Sequence, residues 1–236
     1  MSYWKNYWST RTNGGHRHQD EDWLRAEAEE KLLLCGEKRG ELLDFGCDSA
    51  DILAYLAPYF MQVAGVDFSP TMLENARNRL KSFSVSNATL FESDDAGLEN
   101  ALRDRMVDTI IAVEVAQYFT NEKLGRLVGA FRRLLRDRGR IVLAGCIDPF
   151  LFPLWSSGFF VKEEFSLCRL IWQYLLYLCR EMKRKLKGMP GQNIGYGHSR
   201  ETVERIAGEN GLRAEFRRSM FYEYRYHVIF SAVTHG

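Results

Sequence analysis

Hydrophobic residues recur at two different spacings from residue 41 onward. Apolar runs of strand length read ELLDFG, QVAGVD, ATLFES, VDTIIAVE and RIVLAGC. Between them, SADILAYLAP, SPTMLENARNRLKSF and NEKLGRLVGAFRRLLRDRG repeat their apolar residues at helical spacing. This alternation predicts βαβ units and a parallel sheet. The runs IIAV and IVLA are apolar on both faces, as central strands are when helices cover both sides of a sheet.

Local signals predict where these elements begin and end. Ser69 and Pro70 supply a capping hydroxyl and a proline at the first helical position. Gly139 follows the basic turn RRLLRDR, where we expect that helix to stop. Near the C-terminus, SRETVERIAGENGL predicts a helix, followed by the strands RAEFRRSMF and YRYHVIFSAV. With no helix between them, these strands should form an antiparallel hairpin that bends around Glu223 and Tyr224.

The pattern as a whole predicts an α/β protein with a doubly wound, Rossmann-like sheet. We expect seven mostly parallel strands, an antiparallel C-terminal hairpin and a helical lid insertion. The core comprises residues 41–146 and 199–236. Residues 1–40 form a helical cap, with aromatic residues at helical spacing, and residues 147–198 form the lid. The aromatic residues of the cap are Tyr3, Trp4, Tyr7 and Trp8.

Composition narrows the function classes. Lys and Arg number 32 against 31 for Asp and Glu, so the formal charge of +1 gives no overall attraction to nucleic acid or to an anionic membrane. No window of 18 uncharged apolar residues occurs, so we expect no membrane-spanning segment.

The five cysteines are odd in number and contain no C-x-x-C pair, which argues against a disulfide framework and a thiolate zinc site. His16 and His18 have no third ligand in view, and we predict no metal site. A reducing cytoplasm is the expected location. The cysteines are Cys35, Cys47, Cys146, Cys168 and Cys179.

The loop after the first strand, in ELLDFGCDSA, carries the strongest chemical signal. In a dinucleotide-binding loop, G-x-G-x-x-G lets the backbone approach a pyrophosphate, but here the three positions are Gly46, Asp48 and Asp51. A carboxylate against two phosphates costs on the order of several kcal/mol. A cofactor without phosphate and with a net positive charge meets no such penalty, and S-adenosylmethionine is such a molecule. Asp tolerates the left-handed backbone that glycine usually supplies, and Ala50 adds only one methyl group.

At this point LLDFGCDSA resembles the LLDLGCGTG motif of the class I S-adenosylmethionine-dependent methyltransferases. It keeps Asp44, Gly46 and Cys47 and loses two glycines. The resemblance extends over roughly residues 41–233 and implies S-adenosylmethionine as the cofactor. It implies that Asp44, Gly46, Cys47 and Asp48 line the cofactor site.

Further motifs after the second and third strands carry the same resemblance. In VAGVDFSPTMLENAR, it implies that Asp67 accepts both ribose hydroxyls and that Phe68 and Met72 lie beside the nucleoside. In ESDDAGL, it offers Asp94 or Asp95 for the adenine amino group.

After the fourth strand, AVEVAQYFTN is similar to the small-molecule branch of this family. It implies Glu114, Gln117 and Tyr118 beside the methyl donor and acceptor. It lacks the Asn-Pro-Pro-Tyr signature of enzymes that methylate nucleic-acid bases, so we expect no nucleic-acid partner. Gln117 and Tyr118 have a second interpretation, as caps of the next helix.

Methyl transfer is an in-line displacement that needs a base only if the acceptor must lose a proton. His198, His227 and Tyr118 are the catalytic candidates. Each histidine is also compatible with a hydrogen-bonded structural role. No residue identifies the base or the oligomeric state.

We therefore predict a cytoplasmic enzyme that moves a methyl group from S-adenosylmethionine to an oxygen or nitrogen atom of a small molecule. Two alternatives remain open. The aromatic and basic segment over residues 165–187 suggests peripheral membrane contact, and hence a membrane lipid or lipid-linked glycan as acceptor. The lost glycines suggest instead a catalytically inactive binding module with a methyltransferase-like fold.

Overall fold

A seven-stranded sheet forms the centre of the computed structural model, which describes residues 20–37, 39–103, 105–157, 167–186 and 195–233. The strands are β1 (Glu41–Phe45), β2 (Gln62–Asp67), β3 (Ala88–Glu92), β4 (Val107–Val113), β5 (Leu135–Ile147), β6 (Leu212–Arg218) and β7 (Arg225–Ala232). Their order is β3-β2-β1-β4-β5-β7-β6. Strands β1 to β5 pair in parallel, while β7 runs antiparallel to both β5 and β6. The predicted fold class is confirmed.

The helices of the described chain alternate with strands β1 to β5, and three helices then lie between β5 and β6. They are α1 (Glu21–Leu34), α2 (Leu53–Leu56), α3 (Pro70–Ser82), α4 (Leu98–Ala101), α5 (Asn121–Leu134), α6 (Leu151–Ser156), α7 (Leu167–Leu186) and α8 (Arg200–Glu209). Helix α3 starts as predicted, because Ser69 Oγ accepts the Met72 amide at 3.4 Å and Pro70 occupies the first turn. Residues of helices α1, α2 and α3 share one buried core, and residues of α4, α5 and α8 share the other. Leu42 and Leu43 of β1 point into opposite cores, and each is 0% exposed.

Gly139 does not end a helix, so that part of the sequence prediction is wrong. Helix α5 stops at Leu134, and β5 begins at the next residue and continues through Arg138 and Gly139. A Cβ at Gly139 would lie 2.9 Å from the Arg136 carbonyl and 3.0 Å from the Asp108 carbonyl. Glycine is therefore present for close strand contact, a tertiary demand that helix periodicity does not reveal.

The C-terminal hairpin forms as predicted, but its connection is longer than a two-residue bend. Residues 219–224 join β6 to β7, and Arg218 pairs with Tyr226 across the ladder. Ser219 Oγ accepts the amides of Phe221 and Tyr222 at 3.2 and 3.3 Å. In addition, the Glu30 carboxylate of α1 accepts the Met220 amide, so a side chain that is distant in sequence anchors the loop to α1.

Segments outside the core are partly described. The aromatic residues at 3–8 and the histidines at 16 and 18 lie outside the described residues. Helix α7 contacts α6, where the ring centroids of Tyr177 and Phe152 are 6.4 Å apart. Across the ranges that the structure describes, none of the helices combines the length and apolar character required to cross a bilayer.

All five cysteines are free, and they divide into two groups. Cys35, Cys47 and Cys146 are buried, whereas Cys168 and Cys179 are exposed on α7. Burial raises the pKa of the Cys35 and Cys146 thiols to about 12 and that of Cys47 well above its usual range. The buried thiols therefore stay protonated at neutral pH.

Candidate active site

The loop after β1 keeps a glycine-type backbone although two of its glycines are replaced. Gly46 has φ of 75°, Asp48 of 51° and Ala50 of 60°, all in the left-handed region. The amides of Gly46 and Cys47 both donate to the Val66 carbonyl of β2, at 2.8 and 3.0 Å. The loop is therefore anchored to the neighbouring strand. Asp48 adopts the left-handed conformation expected from the sequence, and Ala50 adopts it as well.

Asp67 ends β2 and faces this loop. Its Oδ2 accepts the Asp48 amide at 3.1 Å, and its Oδ1 accepts the Ser69 amide at 2.9 Å. The pKa of the Asp67 carboxyl is raised to about 6, mainly by burial; the Ser69 amide opposes the rise, and the charge of Asp48 contributes to it. A ligand that brings hydroxyl donors or positive charge to this carboxylate would favour its ionised form.

Carboxylates concentrate negative charge around the loop. The charges of Asp44, Asp67 and Asp48 add to burial, the largest cause, in raising the pKa of Cys47. Asp44 is 3% exposed at the end of β1. Cys47 itself packs closely, because a Cβ at Gly65 would lie 2.9 Å from its sulfur.

Asp51, at the third glycine position, is engaged elsewhere. Its Oδ1 lies 3.1 Å from Arg79 Nε, and its Oδ2 accepts the Ser49 hydroxyl at 2.7 Å. The charge of Asp51 is therefore paired with that of Arg79.

Four further residues predicted to contact the cofactor follow β2 and β3 along the chain. Phe68 is half-buried and Met72 is buried in the first turn of α3. After β3, Asp94 Oδ1 accepts the amides of Ala96 and Gly97 at 3.1 and 2.9 Å, while Asp95 is exposed. The Asp94 side chain thus stabilises the turn in which it lies.

Beyond β4, the structure brings Glu114, Gln117 and Tyr118 together. Glu114 adopts a left-handed φ of 57°, and its amide donates to the Ala144 carbonyl of β5 at 2.7 Å. Gln117 is 3% exposed and donates from Nε2 to the Tyr118 hydroxyl at 3.1 Å. The side chains that the fourth motif implied therefore form one polar group at the C-terminal edge of the sheet.

Arg225 joins this group, and sequence reasoning missed it. Its Nη1 donates to Gln117 Oε1 at 3.0 Å and to the Gly145 carbonyl, while its Nη2 lies 3.4 Å from Glu114 Oε2. Burial lowers the pKa of this guanidinium, but the Glu114 charge and Tyr224 more than offset it, so the pKa lies above its usual value. The available signal was a lone arginine within an apolar and aromatic strand, YRYHVIF.

His227 belongs to a buried ionic cluster that links β7 to α1, formed by Glu27, Glu30, Lys31 and His227. Its Nδ1 accepts the Gly145 amide at 3.1 Å, so the proton sits on Nε2, which lies 3.1 Å from Glu30 Oε1. Lys31 Nζ lies 2.6 Å from Glu30 Oε2 and 3.3 Å from Glu27 Oε1. Burial raises the pKa of Glu30, but His227 and Lys31 outweigh it and lower the pKa to about 2.

His198 belongs to the segment before α8 and is buried against the start of α5. Its Nδ1 lies 2.7 Å from Asn121 Oδ1, its Nε2 lies 3.0 Å from the Ala116 carbonyl, and burial lowers its pKa. The Tyr226 hydroxyl donates to the His198 carbonyl at 2.7 Å. Both nitrogens of His198 face polar partners within the protein. Those of His227 lie beside the Gly145 amide and the Glu30 carboxylate, so both histidines are placed as in the structural role that the sequence left open.

Both the sequence and the fold of this chain are similar to those of known proteins. The sequence model of a family described as "Methyltransferase domain" matches residues 43–141. Demethylmenaquinone methyltransferase of Tropheryma whipplei (strain Twist) is 31% identical over 188 residues, which are 79% of this chain and 66% of that protein. The chain thus spans 66% of the length of this relative. The dTDP-3-amino-3,4,6-trideoxy-alpha-D-glucopyranose N,N-dimethyltransferase of Streptomyces venezuelae is 28% identical, over 52% of this chain and 50% of its own length.

The fold is similar to that of a solved structure with a bound ligand. Magnesium protoporphyrin IX methyltransferase from Synechocystis PCC 6803, crystallised with SAH (S-adenosylhomocysteine), superposes with a TM-score of 0.61 at 18% identity. The match covers 97% of this chain and 95% of that one. At this identity the likeness concerns the fold.

Proposed function

Because this chain belongs to the class I S-adenosylmethionine-dependent methyltransferases, we propose that it transfers a methyl group from S-adenosylmethionine to an oxygen or nitrogen atom of a small-molecule acceptor. The domain match over residues 43–141 and the 31% identity to demethylmenaquinone methyltransferase support the family resemblance inferred from the sequence, and the shared fold agrees with the fold that it implies. The acceptor, its chemical class and a cytoplasmic location are part of the proposal.

One observation carries the proposal: the carboxylates of Asp44, Asp48 and Asp67 gather around a loop with a glycine-type backbone. The Asp67 carboxylate carries a pKa raised to about 6, mainly by burial. A ribose hydroxyl pair donating to it, together with a nearby positive charge, would relieve that cost. A phosphorylated ligand would instead add negative charge against Asp48. The residues present therefore fit S-adenosylmethionine.

The cofactor supplies a methyl carbon made electrophilic by a positively charged sulfur. The contribution of the protein is then to align the acceptor and to exclude water. We assign this role to the group after β4. Arg225 fixes the Gln117 amide, and Gln117 in turn donates to Tyr118, so the Tyr118 phenol oxygen is held in place. Tyr118 is the proposed contact to the acceptor, since both imidazoles already face partners within the protein.

Calorimetry tests the cofactor part of the proposal. We expect the full chain to bind S-adenosylhomocysteine, with binding lost or strongly weakened in Asp67→Asn. Asp137→Asn, an exposed carboxylate of β5, is the matched control and should bind normally. No heat with either S-adenosylmethionine or S-adenosylhomocysteine for the unaltered chain would refute the proposal.

Transfer of a labelled methyl group tests the catalytic part. Panels of phenols, carboxylic acids, amino sugars and amines should yield at least one methylated product. The inactive binding module remains the alternative at this step, and it predicts binding of S-adenosylhomocysteine without any transfer. Formation of labelled product that depends on Asp67 would exclude it.

A further inference from the structure

One face of α7 is apolar and exposed. Five apolar residues along the helix are between 40% and 85% exposed, and they recur at helical spacing. They are Ile171, Leu175, Leu178, Met182 and Leu186. Trp172 lies beside this stripe and is 64% exposed. The half-buried Tyr177, by contrast, lies on another side of the helix, where it contacts Phe152 of α6.

The charged residues of α7, like its exposed apolar residues, are unevenly distributed along the helix. Its C-terminal turns contain four basic residues, Arg180, Lys183, Arg184 and Lys185, and Arg169 is the fifth basic residue of the helix. Glu181 is the single acid among its 20 residues. Because the chain as a whole carries a formal charge of only +1, this excess is local. A helix about 30 Å long with an apolar stripe and a basic end is typical of helices that lie in the plane of a lipid surface.

We propose that α7 docks this protein on an anionic lipid surface. The apolar stripe would enter the boundary between headgroups and acyl chains, and the basic turns would contact the anionic headgroups. Trp172 suits that boundary because tryptophan concentrates at membrane interfaces. The helix lies on the surface and does not cross the bilayer, which agrees with its many charges.

Aromatic contacts on the other side of α7 connect this helix to the candidate active site. From Tyr177 of α7 the series runs to Phe152 and then to Tyr224, with ring centroids 6.4 and 5.3 Å apart. The Arg225 guanidinium lies 5.2 Å from the centre of the Tyr224 ring. Docking through α7 would therefore bring the group after β4 close to the membrane surface. If the proposed methyl transfer holds, this favours an acceptor that partitions into lipid.

Vesicle sedimentation of the full chain tests the docking without any measurement of methyl transfer. At low salt we expect the protein to sediment with vesicles of phosphatidylcholine and phosphatidylglycerol, and much less with phosphatidylcholine alone. Trp172→Ser combined with Met182→Ser should weaken binding by about tenfold or more, because two exposed apolar side chains are lost. Arg180→Glu combined with Lys183→Glu should also weaken it by at least about tenfold and reduce its salt dependence.

Matched controls distinguish the helix from general surface effects. Leu33→Ser with Met61→Ser removes side chains that are 75% and 77% exposed on other elements, and should leave binding unchanged. Lys81→Glu with Lys123→Glu controls for charge. Far-ultraviolet circular dichroism and thermal midpoints must match for all variants.

Three results would overturn the docking proposal. The first is an absence of sedimentation at low salt for the unaltered chain. The second is equal binding by the α7 variants and their controls. The third is a lipid-independent dimer that Trp172→Ser abolishes, which would assign the stripe to a second copy of this chain. Loss of S-adenosylhomocysteine binding, in contrast, would affect only the proposed methyl transfer.

Discussion

The carboxylate of Asp67 accepts the backbone amide of Asp48 at 3.1 Å, across the ends of two neighbouring strands. This contact joins the acid that ends β2 to the substituted position of the loop after β1. It places two carboxylates close together, and the charge of Asp48 adds to burial, the main cause, in raising the pKa of Asp67.

Asp67→Asn should separate ligand binding from stability. Loss of charged hydrogen bonds to the ribose should weaken S-adenosylhomocysteine binding by about 10- to 100-fold. The stability of the variant without ligand should change little at pH 7.5, because avoiding the ionisation of a buried carboxyl offsets the loss of one of the two amide hydrogen bonds that the carboxylate accepts. Urea denaturation with and without ligand measures both quantities. A variant that is less stable and also binds normally would contradict the assignment.

Binding of S-adenosylmethionine should depend on pH through Asp67. The free carboxyl has a pKa of about 6, raised from 3.8, so below pH 6 the ligand must displace a proton. Affinity should therefore rise with pH up to about 6 and level off above it. Asp48→Asn removes one cause of the raised pKa and should move this midpoint lower. Calorimetry from pH 5 to 8 tests the profile, and Asp67→Asn should show none of it.

Lys31→Met should destabilise the protein by about 3 kcal/mol, because it leaves Glu27 and Glu30 buried without their ammonium partner. Lys123→Met, on the exposed side of α5, is the matched control and should change stability by less than about 0.5 kcal/mol. Urea denaturation at pH 7 makes the comparison. Equal midpoints for the two variants would show that the ionic cluster contributes little.

Glu30 should contribute to acid unfolding. Its pKa is lowered from 4.5 to about 2 in the folded protein, so the folded state binds a proton less readily than the unfolded chain. The stability that this provides is present above pH 4.5 and is lost as the pH falls toward 2. Glu30→Gln should therefore flatten the dependence of unfolding free energy on pH in this range. An unchanged slope would mean that other carboxyls dominate.

Arg225→Met should cost about 3 kcal/mol of stability, since Gln117, the Gly145 carbonyl and Glu114 all lose their donor. Arg225→Lys should recover only part of this loss, because an ammonium does not reproduce the planar fork of the guanidinium. Arg213→Met, exposed on β6, provides the control. The tyrosine contribution to near-ultraviolet circular dichroism should change only in the Arg225 variants, given the neighbouring Tyr222 and Tyr224.

Elements specified by neighbours in sequence were predicted closely. Strand β2 begins and ends where its apolar run does, and α3 begins at the Ser69 and Pro70 signal. The positive φ values of Asp48 and Ala50 follow from the same local logic, since the loop demands a left-handed backbone whichever residue occupies it.

Contacts between distant segments could not be predicted in this way. Glu30 and Met220 are 190 positions apart, and Arg225 and Gln117 are 108 apart. The desolvation free energy of burying Glu30 and Arg225 is offset only when their partners come together in the folded chain. No local sequence pattern therefore predicts these contacts. The longer hairpin connection and the strand position of Gly139 have the same origin.

The uneven distribution of the thiols offers a practical consequence. Cys35, Cys47 and Cys146 are shielded by the protein interior, while Cys168 and Cys179 both lie exposed on α7. A maleimide dye at neutral pH should therefore label this one helix, without any engineered cysteine. The two exposed cysteines thus provide attachment sites for a fluorescent reporter. The emission wavelength of the attached dye would show directly whether α7 passes from water into hydrocarbon.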